Sequence, residues 1–137
     1  MIVFLRILFG VVLVVMTWGT VRASLAQALF DIPPEVTGNP WFQVTLFDAY
    51  FAFLTFYVWV AWKERSLAAR VLWLIVLMLW GNFAMATYML RELFRIPADG
   101  DLSAVFTTRH PGTLTLPVIF LVLGVIAYLL GAGIFSG

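Results

Sequence analysis

Cysteine is absent from this 137-residue chain. That removes disulfides, thiolate nucleophiles, thiol redox chemistry and iron–sulfur ligation together, and leaves the redox compartment unread. Charge is scarce: eight basic and seven acidic side chains make up 11% of the residues, against about 25% in soluble globular proteins. No basic stripe exists to neutralise phosphates, which argues against a nucleic acid partner. Histidine occurs once, at His110, so two histidines of one chain cannot hold a haem. No Ser–His pairing, HExxH, phosphate-cradling glycine loop or paired carboxylates within an apolar run is present, and no enzyme is expected. Asp99, Asp101 and His110 share a loop, but two acids and a histidine so spaced are common in hydrophilic segments and predict no metal site.

What is present is apolar: 64% of the residues are hydrophobic and 17% aromatic. Four runs reach the ~20 residues that a ~30 Å hydrocarbon layer requires, at about 2–21, 41–62, 71–90 and 116–135. They lack the alternation of barrel strands and read as helices. The expected fold is an all-α integral membrane four-helix bundle in a single domain. The first run lacks a clear cleavage site after a short apolar core, with Ala23-Ser24-Leu25 a weak candidate, and is expected to stay as an uncleaved helix. Asp31-Ile32-Pro33-Pro34 ends it. Asn39-Pro40 reads as an N-cap followed by proline at the first helical position. Asp101 is placed to cap a short interfacial helix through Leu102, Val105 and Phe106 in the third loop.

On four crossings, lysine and arginine divide evenly. Arg6, Lys63, Arg65 and Arg70 fall on one side, and Arg22, Arg91, Arg95 and Arg109 on the other. The dense group in the short second loop favours its side as cytoplasmic. Both termini are then expected in the cytoplasm, in a plasma or inner membrane.

Asp48 lies within the second run, where an ionisable group costs roughly 2.5–3.5 kcal/mol at the centre of a spanning helix. It is 15 residues before Lys63, or roughly 22 Å deep at 1.5 Å per residue. Thr17 and Thr20 of the first span and Thr87 of the third, with Arg91 a turn beyond, fall at similar heights on four straight crossings. Thr45, Asp48, Ala52, Thr55 and Trp59 share one stripe of the second. Polar and small residues belong at helix contacts in lipid. These positions predict an intramembrane polar cluster of Thr17, Thr20, Arg22, Thr45, Asp48, Thr87 and Arg91, with Arg22 or Arg91 as the cation of Asp48. Its plainest role is a structural pin; a solute or proton site and a contact with a partner subunit are the alternatives.

The run Pro40-Trp41-Phe42-Gln43-Val44-Thr45-Leu46-Phe47-Asp48-Ala49-Tyr50, followed by Trp59-Val60-Ala61-Trp62-Lys63-Glu64, resembles the core of a family of small multi-span membrane proteins known only as a domain of unknown function. The resemblance extends through spans one to three, to about Leu93, with Trp73 and Gly81 in matching places. It implies a helical membrane protein and supplies no activity. Thr45, Asp48, Tyr50, Lys63 and Glu64 enter as motif positions without roles.

Four helices with small extramembrane parts leave little room for a catalytic site. The expected function is that of a non-catalytic accessory or assembly subunit of a larger membrane complex, in contact with lipid. The alternative is a small-solute, ion or proton transporter or channel using Asp48. No cofactor is assigned.

Overall fold

Asn39 caps the second long helix as its place before Pro40 predicts: its side chain accepts from the N–H groups of Trp41 (2.9 Å) and Phe42 (3.4 Å). In the computed structural model, which describes residues 1–131, the chain is all-helical, with seven helices and no strand among the described residues. They are α1 (Ile2–Ala26), α2 (Pro34–Thr37), α3 (Pro40–Lys63), α4 (Leu67–Trp80), α5 (Asn82–Phe94), α6 (Leu102–Thr107) and α7 (Thr115–Gly131). Two of them, α1 and α3, are long and apolar enough to cross a membrane; α4 and α7 are apolar but shorter. Residues 132–135 of the expected fourth span lie outside the described residues.

The expected third span, 71–90, is not one rod. Gly81 interrupts it with φ 49° and ψ −120°, a conformation that only glycine adopts without strain. The chain then folds back on itself. Trp73 and Tyr88 would be roughly 22 Å apart along a straight helix, yet their ring centres are 4.8 Å apart, edge to face. Space requires glycine too, since a Cβ at Gly81 would lie 2.5 Å from Cζ of Phe53 on α3. The helices α4 and α5 thus form a hairpin that starts and ends beside Lys63.

This reversal changes where everything after residue 81 lies. Arg6, near the start of α1, donates to the carbonyls of Leu93 (2.9 Å) and Ile96 (2.5 Å), so the end of α5 sits by the N-terminus. There α6 packs on α1 and α5 through Val105, Ile2 and Leu93. Asp101 caps α6 as expected, accepting from the Ser103 N–H. From this end α7 runs away: Trp80 donates to the Phe120 carbonyl at 2.8 Å, and Tyr128 meets Phe30, in the α1–α2 connection, edge to face at 5.6 Å. Met1 and Gly131 therefore lie at opposite ends of the molecule, the Lys63 end and the Phe30 end.

A small apolar core (Val60, Trp73, Val76, Leu77, Ala84 and Tyr88) fills the space between α3, α4 and α5. Elsewhere α1 leans on α5, α4 on α3 and α7, and α1 and α3 do not pack along each other. Ile2 is the one buried residue of α1, and Val60 and Lys63 the buried residues of α3. An apolar cleft of about 480 Å³ between Phe9, Val12, Phe56, Met85, Met89 and Phe106 separates the two long helices near the Lys63 end.

Candidate functional site

Where α3 stops, its last two polar side chains turn inward. Lys63, the chain's sole lysine, and Glu64 are both 0% exposed, and Glu92 of α5 is 2% exposed. Ions so buried persist only when paired and hydrogen-bonded. Lys63 Nζ is 2.5 Å from Glu92 Oε2, donates to the Val105 carbonyl and lies over the Trp59 ring. The same Glu92 oxygen meets His110 Nε2 at 2.7 Å. Its other oxygen accepts from Arg95 at 3.1 Å, with Arg91 Nε 3.7 Å away. Glu64 Oε1 accepts from Tyr88 Oη (3.0 Å) and Arg91 Nη1 (3.1 Å).

The backbone brings these groups together. Residues 63–65 exchange two hydrogen bonds with His110: its N–H donates to the Lys63 carbonyl (3.0 Å), and its carbonyl accepts from Arg65 (3.1 Å). Arg70 donates to the Glu64 carbonyl at 2.7 Å and Arg109 to that of Trp62 at 2.8 Å. Gly112, at φ 90°, lets the chain pass close over Ser66, whose Cβ would be 2.6 Å from an added Cβ. Five segments meet in one ionic knot: the end of α3, the start of α4, α5, α6 and the 109–112 stretch. Two carboxylates face three cations and a histidine: the Glu92 carboxylate is bound from α3, the end of α5 and the 109–112 stretch, and that of Glu64 from Tyr88 and Arg91 of α5. Chemically this arrangement is a clamp. No group of three or more side chains of metal-ligating type converges among the described residues.

The polar cluster expected around Asp48 is not assembled. Asp48 is exposed and makes no ion pair or hydrogen bond among the described residues. Thr17 and Thr45 donate to carbonyls of their own helices, Leu13 and Trp41, each at 2.8 Å. Thr20 is exposed, and Arg22 lies over Trp18 of its own helix. Thr87 is half-buried on α5. Arg91 sits in the clamp at the other end, because the hairpin returns it there. The height argument assumed four straight crossings, and Gly81 breaks the third.

The clamp uses Tyr88, Glu92, Arg95 and His110, which the Asp48-centred reading left out. A signal for the first three was available. Tyr88, Arg91, Glu92 and Arg95 recur at i, i+3, i+4 and i+7, a polar stripe on one face of a helix. Such a stripe calls for a charged partner, and Lys63-Glu64 is the nearest buried pair. His110 carried no comparable sequence cue.

Comparison with curated proteins and with solved structures finds no match. A family model does match, over residues 1–112. The matched stretch contains every member of the clamp and stops short of α7, further along the chain than the likeness through spans one to three predicted. The chain belongs to the family described as protein of unknown function (DUF1475).

Proposed function

We propose that this chain is a multi-pass membrane protein that serves as a non-catalytic accessory or assembly subunit of a larger membrane complex. The observation carrying this reading is Asp48: an ionisable side chain on the apolar helix α3, exposed and without a partner among the described residues. In hydrocarbon such a group needs a hydrogen-bonding neighbour. The halves of α1 and α3 nearest the Phe30 end stand free, with Thr17, Thr20, Thr45 and Asp48 on exposed positions. Polar groups on open helix faces are how membrane helices select one another. The clamp at the other end fixes the stems of the helices from which these free halves project.

The hairpin also redistributes charge. With α4–α5 entering and leaving at one end, Arg6, Lys63, Arg65, Arg70, Arg91, Arg95 and Arg109 all lie there, and Arg22 alone lies toward the Phe30 end. Seven of eight basic residues on one side favour that side as cytoplasmic. This orientation puts the N-terminus in the cytoplasm and Gly131 outside, with α1, α3 and α7 crossing and the hairpin re-entrant.

The test is purification in mild detergent. The native chain is expected to bring down a stoichiometric larger membrane protein, and Asp48→Asn to lose it while the chain itself remains folded. A native chain that is stable alone, or an unchanged complex with Asp48→Asn, contradicts the proposal. The second reading, a transporter or channel, is favoured by the break at Gly81, since interrupted helices line solute paths in many transporters. It requires proton- or cation-coupled uptake in proteoliposomes that Asp48→Asn abolishes.

A further inference from the structure

The cleft between α1 and α3 is apolar inside and basic at its rim. Phe9 stands on its α1 wall and Trp59 on its α3 wall; α5 lines the back from Asn82 to Met89, and Phe106 of α6 closes the floor. The Trp59 and Phe106 rings are 5.6 Å apart, and the Trp59 N–H donates to the Phe106 carbonyl at 3.1 Å. Beyond that floor the chemistry changes. Arg6 lies less than a turn from Phe9 on α1. Arg109 donates to the carbonyl of Trp62, less than a turn past Trp59 on α3, and its guanidinium lies over the Trp62 ring at 5.4 Å. Arg109 is exposed, and its Nη groups have no partner among the described residues. At this end of the molecule seven basic side chains meet four acidic ones, an excess of three positive charges.

We propose that the cleft holds one acyl chain of an anionic phospholipid, with the phosphate on the basic rim beside Arg109. The proposal rests on the multi-pass membrane reading above. Size decides between the occupants available in a bilayer. From Asn82 to Met89 the back wall runs roughly 10 Å, and a helix with its side chains is about 10–12 Å wide, so a partner helix over that length needs roughly 800 Å³. The cleft offers about 480 Å³, too little for a helix and ample for a single file of methylenes. Met85 and Met89 give its wall the adaptability that a flexible chain requires. The excess positive charge selects the headgroup, since basic pockets between spanning helices on the cytoplasmic side suit anionic lipids.

The test titrates the full chain in mild detergent with phosphatidylglycerol and with phosphatidylcholine of the same acyl chains, counting bound lipid by native mass spectrometry. One phosphatidylglycerol per chain is expected, held roughly tenfold more tightly than phosphatidylcholine, with Arg109→Gln weakening it about fivefold. In nanodiscs, phosphatidylglycerol with a photoreactive group midway along one chain should label Met85, Met89 or Phe106. Equal retention of the two lipids overturns the proposal. So do adducts confined to outward residues such as Val14 and Phe51, which are 70% and 65% exposed, or cleft adducts that vanish when a partner protein is bound. Retention and labelling are both read on the native chain and stand even if Arg109→Gln fails to fold. A chain stripped from membranes by alkaline carbonate overturns the membrane reading as well; an embedded chain without the selective lipid overturns this inference alone.

Discussion

Glu92 gathers more charged partners than any other residue of the clamp: Lys63, Arg91, Arg95 and His110 all approach its carboxylate. Removing one member of a buried pair strands the other, typically at about 3–5 kcal/mol, whereas replacing both with apolar residues of similar size is often neutral. Glu92→Leu and Lys63→Met should therefore each lower the unfolding midpoint in detergent sharply, and the double variant should recover much of the loss. Strictly additive losses would show that the two ions do not act as a pair. Asp101 makes a smaller prediction, with a pH sign. The Ser103 hydroxyl and N–H hold its carboxyl below the usual carboxylate range. Because the folded value is depressed, the α6 cap is fully effective above the unfolded value of about 3.9 and fails as pH falls through the folded one. Amide exchange at Ser103 should accelerate in that acid range and in Asp101→Ala at any pH; an unchanged rate would remove the cap from the account. Little of the clamp was legible at this scale. Lys63 and Glu64 stood out only as motif positions, and Asp48 stood out for a reason that the folded chain does not meet internally.

The helical hairpin depends on one residue. At Gly81 an added Cβ meets both an unfavourable φ and the Phe53 ring at 2.5 Å. Alanine where φ is positive costs more than the ~1 kcal/mol at stake in ordinary glycine exchanges. Gly81→Ala is expected to destabilise strongly, and adding Phe53→Ala should relieve the steric part and leave the backbone part. If Gly81→Ala were neutral in thermal unfolding, the hairpin could not have the geometry described. The elements with local signals were legible: the Asn39-Pro40 start of α3 and the Asp101 cap of α6 are each set by neighbours in sequence, whereas α1 ends at Ala26, ahead of the expected stop at Asp31-Ile32-Pro33-Pro34. The reversal was not. Residues 71–90 read as one apolar stretch, and hydropathy has no sign that distinguishes a helix continuing through a glycine from one turning back at it. Only the contacts of Tyr88 and Arg91 with Trp73 and Glu64 make that distinction.

At the scale of the molecule, the hairpin decides which loops share a side, and with them most of the charge. Four straight spans divide the basic residues evenly and bring the 95–110 loop to the side of Glu35. The folded-back chain puts that loop beside Arg65 instead and collects seven of the eight basic residues around it. The all-helical class and the apolar lengths of α1 and α3 followed from the apolar runs and their lack of alternation, while the place where the chain turns back depended on a tertiary contact. Because the chain has no cysteine, single cysteines at the exposed positions Glu35, Arg65 and Asp99 can be probed one at a time with a membrane-impermeant thiol reagent on sealed, oriented vesicles. The account predicts that residues 65 and 99 are labelled from the same face and residue 35 from the other. Labelling of 99 together with 35, opposite 65, would restore the straight third span and dismantle the hairpin.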